Sequence, residues 1–237
     1  MSTQTSFKPA LSRYSTTMSD ASTASSAHQS PHSHSHLHRR LFIQMSGAPG
    51  SGKSTTANLL AQKIDGFAVP HDTIKSALLE ENIPFDKAAK IAYRMDWALA
   101  EEVIKQGRSV IIDSPCNYQE ALDQGRALAT RYGYAYWYLE IRTDVHNLAL
   151  LDARLRTRTP LRAQRACVDE NPTDAKEARH TQADAQARFK RWVNPCRPDG
   201  NIIVVDTAGN LQERIDYILN QLPTTAVGEE PFSARTT

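Results

Sequence analysis

Residues 41–55 read LFIQMSGAPGSGKST: a short apolar run, a glycine-rich stretch, then the start of a helical pattern. Within it, GAPGSGKS at 47–54 fits the pattern Gly, four residues, Gly-Lys-Ser, which chance supplies in on the order of 1% of chains of this length. Glycines at 47, 50 and 52 let the backbone turn where a Cβ would obstruct, so successive N–H groups can face phosphate oxygens. Lys53 is placed to bring a cation to the β and γ phosphates, and Ser54 to offer its hydroxyl to magnesium. The helix that follows, with Leu59, Leu60 and Ile64 on its inner side, aims its positive end at the same anion. Gly47, Ala48, Pro49, Gly50, Ser51, Gly52, Lys53, Ser54 and Thr55 are therefore the expected nucleotide contacts.

Outward from this loop, apolar runs alternate with longer helical stretches. LFIQM at 41–45, FAV at 67–69, SVIID at 109–113, YAYWYLEI at 134–141 and NIIVVD at 201–206 read as strands. The alternation predicts an α/β protein with a five-stranded parallel sheet and helices on both faces, a three-layer arrangement. In the aromatic strand, Tyr134, Tyr136 and Tyr138 alternate with Trp137, Leu139 and Ile141, the signature of a strand packed between two layers rather than a base-stacking platform. Tyr93 and Trp97, four apart, are expected to pack on one core-facing side of a helix.

Ligands of open α/β sheets bind at the carboxyl ends of the strands, and two carboxylates fall there. Asp72, in VPHDTIKSALLEE, sits where a strand feeds a helix; it is either the cap of a helix beginning near Thr73 or a base that orients an acceptor hydroxyl and takes its proton. Lys75, one turn on, either pairs with phosphate or is solvated. Asp113 closes the apolar strand SVIID, and a buried carboxylate there is best explained by a metal, making Ser54 and Asp113 the expected magnesium ligands. Asn117 and Tyr118 follow in a loop that can reach substrate, and Arg94 is either an acceptor-site cation or half of a surface ion pair. The segment ARLRTRTPLRAQR, 153–165, carries five arginines and no acid. Arg154 and Arg158 are spaced to share a helix face, which Arg162 extends only if the helix survives Pro160. Arginines in such a mobile segment can close on a transferred phosphoryl group; the alternative is a basic surface that contacts nucleic acid.

Of the 237 residues, 40% are hydrophobic and no run reaches the length needed to span a bilayer, so a membrane protein is excluded. With 28 basic and 26 acidic residues, bulk charge gives little attraction for polyanions. Cys116, Cys167 and Cys196 form neither a zinc pattern nor a disulfide framework, which fits a reducing compartment and a cytoplasmic location. Residues 1–40 are Ser- and Thr-rich with Asp20 as their single acid, and read as a disordered tail; the same composition allows organellar import. Five histidines there, at 28, 32, 34, 36 and 38, read as a solvated low-complexity run, not a metal site. The expected division is a tail at 1–40, one domain at 41–221 and a second tail at 222–237.

Taken together, GAPGSGKST at 47–55, the D-x-x-K of Asp72 to Lys75, GRSVIID at 107–113, the R-x-x-x-R of Arg154 and Arg158, and IIVVDTAG at 202–209 resemble the small P-loop kinases grouped with AAA-type ATP-binding proteins. That group includes gluconate kinase, chloramphenicol phosphotransferase and the kinase domain of polynucleotide kinase. The resemblance covers about residues 41–221 and implies a P-loop NTPase fold with a helical, arginine-bearing lid. It implies ATP and magnesium as cofactors and transfer of the γ-phosphoryl group to a hydroxyl of a small molecule. Lys53, Asp72, Arg154 and Arg158 would be the catalytic residues, with the Thr207–Gly209 loop near the adenine. One departure is Lys75, where the group often has arginine; lysine cannot grip a phosphate in bidentate fashion. Alternatives are an ATPase or nucleotide switch without a small acceptor, or a nucleic-acid 5′-hydroxyl kinase. A monomer or homodimer is expected.

Overall fold

A computed structural model describes residues 40–115, 118–142, 148–177, 181–207 and 209–223; residues 1–39 and 224–237 of the tails, Cys116 and Asn117 lie outside the described residues. Five strands, β1 (Leu41–Ser46), β2 (Gly66–Pro70), β3 (Ser109–Asp113), β4 (Ala135–Arg142) and β5 (Ile202–Asp206), form one sheet in the order β2-β3-β1-β4-β5, every pairing parallel. Each expected strand is present within a residue or two. Tyr134 and Asn201 fall just ahead of their strands, although the Tyr134 ring stays in the core.

The eight helices among the described residues are α1 (Lys53–Lys63), α2 (His71–Glu80), α3 (Phe85–Lys105), α4 (Gln119–Arg131), α5 (Leu148–Thr157), α6 (Thr173–Glu177), α7 (Gln182–Val193) and α8 (Leu211–Gln221). The central strand β1 is buried along its whole length, as a parallel strand covered on both faces must be. Its alternation divides the core: Leu41, Ile43 and Met45 pack with Leu60 of α1, Ile64 at its carboxyl cap, and Ile215 and Ile218 of α8. Phe42 turns to the other face, against Val103, Ile104, Leu122 and Leu128 of α3 and α4. β4 divides the same way, with Trp137, Leu139 and Ile141 on the first face and Tyr136 and Tyr138 on the second.

Gln44 breaks the apolar run of β1 without leaving its amide stranded. It donates to the Ala121 carbonyl at 2.9 Å and accepts from the Tyr136 hydroxyl at 2.6 Å. Gly125 makes room for that amide, since a Cβ on α4 would collide with it. On the same face, Glu140 is almost fully buried and held in a fork by Arg197, at 2.5 and 2.9 Å, with Arg142 adding a third bond at 3.1 Å. Together with the Tyr138 hydroxyl donating to the Cys196 carbonyl at 3.0 Å, this pins the connection from α7 to β5 against the sheet.

Candidate active site

All five strands point their carboxyl ends to one edge, and the site is built there. β1 ends at Ser46 and α1 begins at Lys53, so the glycine-rich loop spans the gap. Gly47, Gly50 and Gly52 all have positive φ, and Gly52 caps α1 in the left-handed region. At Gly47 a Cβ would run into the Ile141 carbonyl, and at Gly50 it would lie 3.0 Å from the Leu151 carbonyl of α5. Only glycine fits either place. The Lys53 ammonium bridges the carbonyls of Gly47 and Ala48 at 2.7 and 3.1 Å, folding back over its own loop.

A cavity of about 720 Å3 opens from this loop. Ser54 and Thr55 are exposed at its floor, and Asp113 stands opposite at the end of β3. Desolvation pushes the Asp113 carboxyl up, against the hydrogen bond from Ser54 and the charge of Lys53, which pull it down. A serine oxygen joined to a carboxylate beside a phosphate loop is a donor set that suits a hard cation such as magnesium.

Asp72 enters from α2. The expectation that it caps a helix starting near Thr73 is corrected: α2 starts at His71, directly after Pro70, and Asp72 sits inside the first turn. Its carboxylate makes no capping bond there; it faces the cavity and accepts from the Gln164 side chain at 2.8 Å. Lys75 is not solvated: it is buried at the cavity wall, with its ammonium 3.5 Å over the Phe85 ring. Tyr93 and Trp97 also part company. Trp97 packs on the core, but Tyr93 lines the cavity, its ring 4.4 Å from that of His71. Arg94 is exposed and lies outside the cavity wall, whereas Tyr118 belongs to it.

The arginine segment folds over the loop. Leu151 of α5 packs with Ala48 and with Phe189 of α7. α5 ends at Thr157, ahead of Pro160, so Arg158 lies past the helix instead of sharing its face with Arg154, and Arg162 does not extend that face. Arg154 is clasped to Thr207, reaching its hydroxyl at 2.5 Å and its carbonyl at 3.2 Å. Arg158 donates to the Arg165 carbonyl at 3.1 Å and leaves its buried Nε unsatisfied. Burial lowers its pKa, with the charge of Asp72 opposing. A partly desolvated guanidinium with an open donor, lining a cavity, is suited to an anion.

Arg214 on α8 completes the cationic lining in the same manner, with a buried, unsatisfied Nε and a pKa lowered first by burial and then by Arg154. It approaches Gly52 and, with Gly209 and Leu211, walls the end of the cavity expected to meet the adenine. Sequence reasoning missed Arg214, Gln164 and His71. Only His71 carried a signal, as the neighbour of Asp72 in VPHDTIK.

A parallel sheet of this order, with a glycine-rich phosphate loop between its central strand and the helix that follows, defines a P-loop protein of the kinase fold. The chain belongs to the AAA domain family, whose model matches residues 42–192. Among solved structures it is similar to a candidate kinase from Chloroflexus aurantiacus, at 15% identity and a TM-score of 0.57 over 78% of this chain and 96% of that one. It is also similar to an APS kinase from Mycobacterium tuberculosis in complex with AMPPNP and APS, at 16% identity and a TM-score of 0.52 over 77% and 97%. A sugar kinase from a Janibacter species matches at 17% identity and a TM-score of 0.52 over 77% and 94%. At such identities the likeness is one of fold. No curated protein matches the sequence. Among the described residues, no helix is long and apolar enough to cross a membrane.

Proposed function

We propose that the protein is an ATP-dependent kinase that transfers the γ-phosphoryl group to a hydroxyl of a small molecule. The observation that carries this reading is the cavity itself: it runs from the phosphate loop to a second wall bearing Asp72, with Arg154 and Arg158 on its roof. The loop amides would hold the β and γ phosphates, and Lys53 would exchange two neutral carbonyls for phosphate oxygens. Ser54 and Asp113 would hold magnesium, which when bound neutralises charge across the phosphates. Asp72 orients the acceptor hydroxyl and takes its proton as the new O–P bond forms and the bond to the ADP oxygen breaks. Arg154 and Arg158 close over the phosphoryl group and exclude water. For Arg154 this means releasing Thr207.

The arginine segment gives less support to a nucleic-acid surface. Arg156 is paired with Asp152 at 2.6 Å, Arg162 forks onto Asp174, and Arg165 is buried 4.7 Å over the Trp192 ring. Each of these cations is already engaged within the chain, Arg165 in the interior and Arg156 and Arg162 in ion pairs at the surface.

Incubation with γ-labelled ATP and pools of sugars, nucleosides and oligonucleotides, with water alone as control, tests the assignment. Lys53→Ala should reduce transfer by at least about 100-fold. Asp72→Asn should spare ATP binding and remove transfer; transfer at the wild-type rate would show that another group takes the proton.

A further inference from the structure

His71 and Asp96 form a buried pair at the wall of the cavity that the phosphoryl-transfer reading leaves unused. The His71 Nδ1 lies 2.6 Å from Asp96 Oδ2; the histidine is 5% exposed and the aspartate fully buried. Asp96 sits in the interior of α3, and its second oxygen, Oδ1, is buried with no hydrogen-bond partner. As a device for stability this is poor. A carboxylate placed in a helix packed on the core costs more than an apolar side chain of the same size, and pairing it with one histidine does not reliably recover the difference. What the pair does achieve is a fixed ring. Asp96 holds Nδ1 from one side, the centre of the Tyr93 ring lies 4.4 Å from that of the imidazole, and His71 lines the cavity one residue from Asp72.

The fixed ring also has a fixed chemistry. A carboxylate can only accept, so the 2.6 Å bond to Asp96 is donated by Nδ1. In the neutral ring this leaves the lone pair on Nε2, and a carboxylate on one nitrogen sets the tautomer presented by the other. We propose that His71, positioned by Asp96, is a second hydrogen-bond acceptor of the acceptor site: its Nε2 receives an O–H or N–H of the molecule to be phosphorylated. This rests on the kinase reading above and adds to it. Asp72 already accepts one bond from Gln164, and a single carboxylate leaves an acceptor free to swing about one contact; a second fixed acceptor beside it restricts the hydroxyl to an in-line approach. His71 is the contact, and Asp96 is a positioning residue that acts through it.

Two measurements on the full chain decide the matter. In the first, protein labelled with nitrogen-15 at histidine is observed by NMR with no ligand present. His71 should show a protonated Nδ1 and an unprotonated Nε2, a pattern lost in Asp96→Leu. A His71 that carries its proton on Nε2, or on both nitrogens, overturns the proposal.

In the second, the apolar double variant His71→Phe/Asp96→Leu removes both polar partners at once, so no unpaired charge is left buried and the chain should fold. Assayed against the same substrate pools with labelled ATP, it should keep the ATP-dependent rise in melting temperature. Its kcat/KM for the acceptor the pools reveal should fall by about 10- to 100-fold, on the scale of a lost substrate hydrogen bond. A folded double variant that transfers at the wild-type rate makes the pair merely structural and overturns the proposal. If the wild-type protein phosphorylates nothing in any pool, the kinase reading fails instead, and the NMR pattern still decides whether Nε2 is an acceptor.

Discussion

Gly47 shows how narrowly single residues are constrained at this site. Its φ is +140° and a Cβ there would meet both the Ile141 carbonyl and the Ser51 hydroxyl, so Gly47→Ala must bend the loop away from β4. Backbone strain of this sort costs about 1–3 kcal/mol. The variant should melt lower than wild type and gain no stability from ATP and magnesium in a thermal titration. Residues of this kind were legible because glycine, lysine and serine at those spacings have few other uses. Asp72 and Asp113 were legible by place, each at the end of a strand. The His71–Asp96 pair was not: its members are 25 residues apart on different helices, and a polar residue within a long amphipathic helix reads as surface until the packing of that helix is known. Tyr93 was misjudged for the same reason. Periodicity shows that a residue faces inward, not whether core or cavity lies there.

Among the elements, the connection between α7 and β5 is the part that sequence periodicity could not describe. It is held by the fork from Arg197 to Glu140. Burial alone would raise the Glu140 carboxyl, but the hydrogen bonds from Arg197 and Arg142 outweigh it and hold its pKa below the usual range. A depressed carboxyl stabilises the fold fully above its unfolded value, about 4.3, and loses that contribution as pH falls through the folded value. Glu140→Gln should therefore cost about 1–3 kcal/mol at neutral pH, measured by denaturant unfolding. The gap from wild type should narrow as the pH drops below about 4.3. α5 tells a related story. Its arginines were visible in the sequence, but Pro160 ends the helix, and only the fold reveals that Arg162 then turns to Asp174 and Arg158 turns inward.

The molecule as a whole was the most legible level, because alternating apolar runs and helical stretches leave few arrangements other than a parallel sheet covered on both faces. The proposed nucleotide site should declare itself at this level too. A ligand that binds only the folded state at 100 times its Kd adds about 2.7 kcal/mol, which for a domain of this size is a rise of roughly 5–10 °C in melting temperature. Wild type should show that rise with ATP and magnesium, and Lys53→Ala should not.

The direction of the strands has a practical consequence. The carboxyl ends of the strands share the edge of the sheet on which the cavity lies, while the amino ends share the far edge, where a Cβ at Gly133 or Gly200 would meet nothing. The far edge can take a fluorophore or a surface tether with the cavity left untouched. The walls beyond the phosphate loop, meanwhile, come mostly from α2, α3, α5, α7, α8 and the segment around Gln164, with Asp113 at the end of β3 as the strand contribution. A library confined to wall positions that are not buried, such as Ala89 and Tyr118, would therefore explore new acceptors without disturbing the core.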